Sequence, residues 1–176
     1  MAKKKSKKSV RTKWTDYWAK KELQRAKDWA YNIRLEGEEA PPMILLLVNT
    51  RQGREVVAIP IPEMILKGGG ASISSFSRHL LSQAEPMGME KPAYMILIIE
   101  AWMVRYREGT THEQATGVRP SQHPERIEAI VALLSSPQFE IMATAAILGG
   151  IPQEWDEISG FGGRFSKMYG IDWGEA

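Results

Sequence analysis

The sequence contains no cysteine, which excludes disulfide bonds, thiol nucleophiles and thiolate metal sites. Its three histidines stand apart and form neither an HExxH nor a His-x-His pattern, so a zinc site has little support. The serine-hydrolase pattern G-x-S-x-G is missing, and in KGGGAS the lysine precedes the glycines, unlike in a phosphate-binding loop. The sequence therefore predicts no metal and no cofactor, and it carries no catalytic signature.

Long hydrophobic runs are also missing. The stretches PPMILLLV and AYMILIIEAWMV are shorter than the roughly 20 apolar residues that a membrane-spanning helix needs, and the second contains Glu100. The lysine-rich opening is not followed by an apolar segment, so we expect no signal peptide. With 43% hydrophobic and 25% charged residues, the chain has the composition of a globular protein, and we expect it in the cytoplasm.

Positive charge is concentrated at the start of the chain. The basic residues of this segment are Lys3, Lys4, Lys5, Lys7, Lys8, Arg11 and Lys13. Without these seven, 16 of the 23 basic residues remain against 21 acidic ones, so residues 14–176 carry about −5. We expect residues 1–13 to form a disordered basic tail that contacts nucleic acid or another acidic partner. The alternative is an extension that only improves solubility.

The periodicity of the body predicts an α+β fold. A long helix is expected from a cap at Thr12 or Thr15 to a stop at Gly37, with its apolar residues on one broad face. A strand pair around Gly53, a glycine-rich linker, a second shorter helix capped by Ser72, and three further strands are expected to follow. The sequence thus predicts one domain with a mostly antiparallel sheet of about five strands, on which both helices pack.

Three segments follow from this pattern. Residues 1–13 form the basic tail, residues 14–150 the α+β domain, and residues 151–176 a glycine- and aromatic-rich extension. In that extension Phe161, Phe165, Tyr169 and Trp173 recur every four residues, while intervening glycines disfavour a stable helix. We expect this segment to dock its aromatic side chains on its own domain or on a protein partner.

Glu100 is the most unusual residue of the predicted strands. It shares a face with Tyr94, Ile96, Ile98 and Trp102, where a carboxylate costs several kcal/mol unless it is paired or faces a polar cavity. Arg105, Arg126 and His123 are the partners that the sequence suggests. A carboxylate held in a pocket is a candidate for a functional site. The alternative is a glutamate at the end of the covered part of the strand, reaching solvent.

The stretch GVRPSQHPERIEAIV leads from a loop into a strand. Pro120 and Pro124 direct the residues before them toward extended conformations, which stiffens the loop. A functional interpretation makes His123 a general base or ligand, with Glu125 and Arg126 as its partners. The simpler interpretation is a surface connection whose charged residues are solvated.

The segments EAWMVRY and RPSQHPERIEAIVALL resemble those of small α+β proteins of bacteria and phages, which carry an EAWM strand end and a PSxxPxR loop. The resemblance covers about residues 43–135. Such proteins have no activity that we know of, so the resemblance implies an accessory, phage-encoded role in the host cytoplasm. The shared pattern includes Glu100, Trp102, Ser121, Pro124 and Arg126.

The sequence therefore favours a non-catalytic accessory or binding protein that uses its basic tail. A second hypothesis is a small hydrolase-like enzyme with catalytic Glu100, His123 and Arg126. A third is a virion or assembly component that docks through the C-terminal aromatic segment. The sequence leaves the oligomeric state open.

Overall fold

An antiparallel sheet of six strands with helices on both faces forms the fold in the computed structural model, which describes residues 13–84, 86, 92–104 and 120–159. The predicted α+β class is confirmed, with six strands in place of about five. The helices are α1 (Asp16–Leu35), α2 (Glu63–Lys67) and α3 (Gly69–Gln83), and a 3-10 turn covers Pro120–Gln122. The strands are β1 (Met43–Asn49), β2 (Arg54–Pro60), β3 (Tyr94–Met103), β4 (Ile127–Ser135), β5 (Glu140–Leu148) and β6 (Ile151–Ser159).

Helix α1 begins and ends where local signals predict. Thr15 is its N-cap, and Gly37 follows the last turn with a φ of 87°, a conformation that glycine adopts without steric cost. The residues that α1 buries are Ala19, Leu23, Ala26, Lys27 and Ala30. Since most of these side chains are small, they allow the helix to pack closely on the sheet.

The order of strands in the sheet is β2-β1-β3-β4-β5-β6, and all neighbours are antiparallel. The chain leaves β2 at one edge, passes through α2 and α3, and returns as β3 on the far side of β1. From β3 onward each strand pairs with the next. This connection places α2 and α3 beside the end of β3, where the candidate site lies.

Each face of the sheet carries a separate hydrophobic core. The core under α1 includes Leu47, Tyr94, Ile96, Ile98, Ile130, Ala132, Leu134 and Ala143. The core under α2 and α3 includes Ile44, Leu46, Ile73, Met95, Leu97, Ile99, Val131 and Leu133. Strand β3 supplies both cores with alternate residues, as its continuous apolar sequence predicts for a strand covered on both faces.

Two segments differ from the sequence interpretation. The glycine-rich stretch is not a linker, because α2 ends at Lys67 and α3 begins two residues later at Gly69. Gly68 is the N-cap of α3, so the predicted cap at Ser72 is wrong. Residues Ile151–Ser159, assigned from the sequence to the C-terminal extension, form β6 and pair with β5. The sheet therefore continues past residue 150.

Some of the predicted features lie outside the described residues. They are the basic residues from Lys3 to Arg11, the suggested Glu100 partner Arg105, and the aromatic residues from Phe161 to Trp173. Lys13 is described and exposed. Within the described ranges, no helix has the length and apolar character needed to cross a membrane.

Candidate functional site

The end of β3 lies beside an open part of the sheet. Strand β1 begins at Met43, which pairs with Ile98, so β3 from Ile99 onward has no strand partner on that side. Its other neighbour, β4, continues to pair with it as far as Met103. The side chains at this end of β3 therefore border a gap instead of a neighbouring strand.

Glu100 lies in this region, and most of its side chain is buried. Its side chain is 10% exposed, and Oε1 accepts a hydrogen bond of 2.9 Å from the backbone N–H of Ala40. Oε2 lies 3.6 Å from Nη1 of Arg34 and has no hydrogen-bond partner within the described residues. The second terminal nitrogen of Arg34, Nη2, lies 3.4 Å from Oε2 of Glu128. Arg34 thus bridges two carboxylates that project from β3 and β4.

Burial raises the pKa of Glu100 above its ordinary value. The hydrogen bond from Ala40 and the positive charge of Arg34 act in the opposite direction, since both stabilise the carboxylate. The negative charges of Glu128 and Glu39 raise the pKa further. Glu100 therefore holds a proton more readily than an exposed glutamate does.

This pairing corrects the expectation for Glu100. The described partners are Arg34 and the backbone of Ala40, whereas Arg126 and His123 bond elsewhere. Nor does the carboxylate reach freely into solvent. The long range of the contact explains the error, because a charge on the last turn of α1 gives no local signal near β3.

A cleft of about 700 Å³ opens beside Glu100. One wall is the end of β3, another is the segment before β1, and the third is the junction of α2 with α3. The residues that line the cleft are Glu39, Ala40, Pro42, Leu66, Lys67, Gly68, Gly69, Gly70, Ala71, Ile73, Ile99, Glu100, Ala101, Trp102 and Ser121. Its lining is thus mainly apolar, with a few polar groups, as is typical of ligand-binding clefts.

The loop before β4 closes one side of the cleft. Ser121 lines it, and the guanidinium of Arg126 donates a hydrogen bond to the carbonyl oxygen of Ser121. The same guanidinium lies 4.6 Å from the ring centroid of Trp102, which is 45% exposed. Glu100, Trp102 and Ser121, all chosen from the sequence, therefore line one cleft, with Arg126 directly beside them.

His123 and Pro124 have a different position. The Nδ1 atom of His123 accepts a hydrogen bond from the backbone N–H of Glu125, and its carbonyl oxygen accepts one from Arg126. Pro124 is exposed, and neither residue is among those that line the cleft. The structure therefore brings Glu100 and Arg126 near the same cleft without His123.

A second cluster of aromatic and basic residues lies at the start of α1, where the basic tail joins the domain. The guanidinium carbon of Arg54 lies 3.8 Å from the ring centroid of Trp18 and 5.5 Å from that of Trp14. Trp14 is fixed by hydrogen bonds from its Nε1 to the carbonyl oxygen of Val48 and from its backbone N–H to Asn49. The buried Nη1 of Arg54 finds no acceptor in the part of the chain described.

More exposed residues continue this cluster along α1. Nζ of Lys21 lies 4.8 Å from the ring centroid of Tyr17 and 5.1 Å from that of Trp18, and Tyr17 is 60% exposed. We call this surface the tail-root patch; it consists of Lys13, Trp14, Tyr17, Trp18, Lys21 and Arg54. The acidic residue Asp16 also lies at this surface. Its Oδ1 atom accepts a hydrogen bond from the hydroxyl of Tyr94.

Sequence reasoning missed the residues that complete both sites. Arg34 and Arg54 come into place only through the packing of α1 on the sheet, and no local spacing indicates their contacts. The glycines from Gly68 to Gly70 did give a signal, since their run suggested an anion-binding loop, but the linker interpretation was preferred. The sequence pattern predicts that Trp14, Trp18 and Trp29 are partly buried; this is confirmed for Trp14 and Trp18, whereas Trp29 is 37% exposed.

Among the described residues, no group of three or more histidine, aspartate or glutamate side chains is placed to hold a metal ion. Comparisons with protein-family models, curated proteins and solved structures found no match to this chain.

Proposed function

We propose that this protein binds single-stranded nucleic acid through the tail-root patch together with the basic tail, as a cytoplasmic accessory protein. The observation that carries the proposal is the stacking of Arg54 on Trp18, beside an exposed Tyr17 that is flanked by Lys21. Alternating aromatic and cationic side chains offer both of the contacts that an unpaired strand needs, which are base stacking and phosphate neutralisation.

Continuity of charge supports this proposal. The basic residues of the tail precede Lys13 directly, and Lys13 belongs to the patch. The patch also includes the first turn of α1, whose unpaired N–H groups favour negative charge. When a base of a single-stranded nucleic acid stacks on Tyr17, the neighbouring phosphates would thus lie next to cations of the tail, Lys21 and Arg54.

The hydrolase hypothesis receives less support from the contacts. Glu100 is engaged by Arg34 and by Ala40, and His123 accepts a hydrogen bond within its own turn. A general base needs to reach the proton that it removes, and these side chains do not share one cleft. The described contacts of Glu100 instead connect α1, β3 and the segment before β1.

Fluorescence anisotropy with a labelled oligo(dT) of about 20 nucleotides tests the proposal, since one binding surface of this type covers roughly 4–16 nucleotides. We expect the full chain to bind, and Tyr17→Ala to weaken binding about tenfold, because stacking on one base contributes about 1–3 kcal/mol. Lys21→Ala should weaken binding and reduce its salt dependence, since it removes a phosphate contact.

Two exposed residues away from the patch serve as matched controls. Arg78→Ala removes an exposed basic residue of α3, and Leu35→Ala removes an exposed apolar side chain at the other end of α1. Neither should change the affinity. Absence of binding at low salt, or equal affinity of Tyr17→Ala and the wild type, would disprove the proposal. Equal affinity for polyglutamate would show that the partner is any acidic polymer.

A further inference from the structure

Strand β2 forms one edge of the sheet and turns part of its backbone outward. Among the strands that the structure describes, it pairs with β1 alone. In an antiparallel ladder, residues that bond to the neighbouring strand alternate with residues that do not. Gly53 and Thr50 exchange two backbone hydrogen bonds at the turn, which fixes this alternation. The residues whose backbone groups point away from β1 are therefore Arg54, Val56, Ala58 and Pro60.

The end of β2 agrees with this assignment. The backbone N–H of Ile61 donates a hydrogen bond to the carbonyl oxygen of Pro42, so Ile61 faces β1 and Pro60 faces outward. A proline within a sheet is confined to positions where the ladder needs no N–H, and Pro60 occupies such a position. The remaining outward positions can each offer both an N–H and a carbonyl group to a further strand.

The outer part of this edge is apolar. Residues 56–60, with the sequence VVAIP, contain no charge. Val56 is 40% exposed, Ala58 is exposed, and Val57 is only partly buried against the core under α2 and α3. An exposed edge strand of apolar and β-branched residues is a template for pairing with another chain.

The opposite edge of the sheet, β6, differs in both charge and regularity. It carries Glu154, Asp156 and Glu157, and the register of its pairing with β5 shifts between Ala145 and Ile147. Charges and bulges are the features that discourage pairing of an edge with another chain. A two-fold pairing of β6 with itself would bring the carboxylates of two copies together, and like charges on neighbouring strands are destabilising. Self-association is therefore favoured at β2.

We propose that two copies of this chain pair through β2, antiparallel and with two-fold symmetry about Val57, so that their sheets join into one. In this register Val57 lies opposite Val57 of the second copy, and Val56 lies opposite Ala58. Val56 and Ala58 exchange their outward hydrogen bonds, and the carbonyl oxygen of Pro60 accepts one from the N–H of Arg54. Apolar side chains meet near the axis on both faces of the joined sheet, and no like charges lie opposite each other.

This pairing would place two tail-root patches on one surface. The two-fold axis is perpendicular to the joined sheet, so both α1 helices lie on the same face. Arg54, a residue of the patch, lies opposite Pro60, so the two copies of Arg54 are six positions apart along the strands, which is about 20 Å. A single strand that contacts both patches would bind more tightly through avidity. This consequence rests on the proposed function, whereas the dimer itself does not.

Sedimentation velocity of the full chain in the absence of nucleic acid tests the dimer. With increasing protein concentration we expect the mass to rise from the 19.8 kDa of one chain to about twice this value. Val56→Lys places a charge on the outer edge and should weaken dimerisation by about tenfold or more. Ala58→Pro removes an N–H that β1 does not use, so it should weaken dimerisation while the pairing with β1 remains.

Ile151→Lys is the matched control for the added charge. Ile151 is 59% exposed and lies on the other edge strand, so this variant should dimerise like the wild type. Head-to-tail pairing of β2 with β6 would give a different result. It would be weakened by Ile151→Lys, and it would build open chains larger than a dimer.

A disulfide tests the register directly. Because the chain has no cysteine, Val57→Cys introduces a single thiol. In a non-hydrogen-bonded antiparallel pair the Cα atoms are about 4.5 Å apart, which is within the range that a disulfide spans. Under mild oxidation Val57→Cys should therefore form a covalent dimer on a non-reducing gel, and faster than Ile151→Cys does.

Three results would overturn the proposal. They are a monomer at every protein concentration, unchanged dimerisation of Val56→Lys or of Ala58→Pro, and cross-linking of Val57→Cys that is no faster than that of Ile151→Cys. Thermal unfolding of each variant shows that it is folded. Since none of these measurements involves nucleic acid, failure of the dimer is distinguishable from failure of nucleic-acid binding at the tail-root patch.

Discussion

Nη1 of Arg34 lies 3.6 Å from Oε2 of Glu100, and this contact joins the last turn of α1 to β3. The two side chains are only 14% and 10% exposed. A buried charge left without its partner is costly, so loss of either member should destabilise the fold more than loss of an exposed pair. The contact therefore fixes the end of α1 to the wall of the cleft.

Replacement of Arg34 by methionine should lower the free energy of unfolding by about 3 kcal/mol, because Glu100 and Glu128 would remain next to each other without a cation. The corresponding fall in melting temperature is about 6–12 °C for a chain of this size. Urea denaturation and calorimetry measure both quantities. The double variant Arg34→Met with Glu100→Gln should recover part of the loss, since the buried carboxylate is then absent.

Arg25→Met is the matched control for this prediction. Arg25 lies on the same helix and pairs with Glu22, but its side chain is 73% exposed. An exposed pair contributes about 0–1 kcal/mol, so this variant should unfold nearly like the wild type. Equal effects of the two substitutions would contradict a special role for Arg34.

The raised pKa of Glu100 predicts a dependence of stability on pH. Its ordinary value is 4.5, and burial is the largest cause of the increase. Since the folded protein then holds the proton more readily than the unfolded chain, the free energy of unfolding should fall as the pH rises from 4.5 through the folded-state pKa. Glu100→Gln cannot titrate. Over this range the wild type should therefore lose stability relative to Glu100→Gln in urea denaturation.

The exposed Glu63 supplies the control for charge. Glu63→Gln removes one carboxylate at a site that is 79% exposed, so it reproduces the change in net charge without the burial. A difference in stability between the wild type and Glu100→Gln that stays constant with pH would contradict the prediction.

Local signals in the sequence predicted much of the fold. The cap at Thr15, the stop at Gly37 and the alternation of β3 are confirmed, because each depends on neighbours within a few residues. Strand β6 was missed, since an edge strand carries exposed charges such as Glu154 and Glu157 and lacks a clear apolar alternation.

The glycines at the start of α3 misled the sequence interpretation for a related reason. Each glycine lowers helix propensity by about 1 kcal/mol, which favours a linker when the segment is considered alone. In the folded chain the burial of Gly70 and Ile73 outweighs this preference.

Among the residues of the cleft, Glu100, Trp102 and Ser121 were identified from the sequence. Arg34 was not, because its contact with Glu100 depends on how α1 packs on the sheet.

Gly69 has a positive φ of 71°, and this conformation is unfavourable for most side chains. Gly69→Ala should therefore lower the free energy of unfolding by about 1–2 kcal/mol, although a Cβ would meet no neighbouring atom. Gly69→Asn should cost less, because asparagine visits this region more readily. Urea denaturation of the two variants separates backbone strain from steric conflict. Equal stability of Gly69→Ala and the wild type would contradict the prediction.

The salt dependence of nucleic-acid affinity separates the contribution of the basic tail from that of the tail-root patch. Residues 1–12 carry six basic residues, from Lys3 to Arg11, and each phosphate that a cation neutralises adds about 0.7 to the slope of log affinity against log salt for a single strand. Deletion of residues 1–12 should therefore reduce the magnitude of this slope by up to about 4. Anisotropy titrations between about 50 and 200 mM salt measure the change.

Tyr17→Ala tests the contribution of stacking to the binding of single-stranded nucleic acid. Because stacking on an uncharged ring releases no counterions, this substitution should weaken binding at every salt concentration and leave the slope nearly unchanged. In the protein lacking residues 1–12, the same substitution should still weaken binding, since Tyr17 belongs to the folded domain. If the deletion abolished the effect of Tyr17→Ala, the ring would act only through the tail, and the tail-root patch would not be a binding surface of its own.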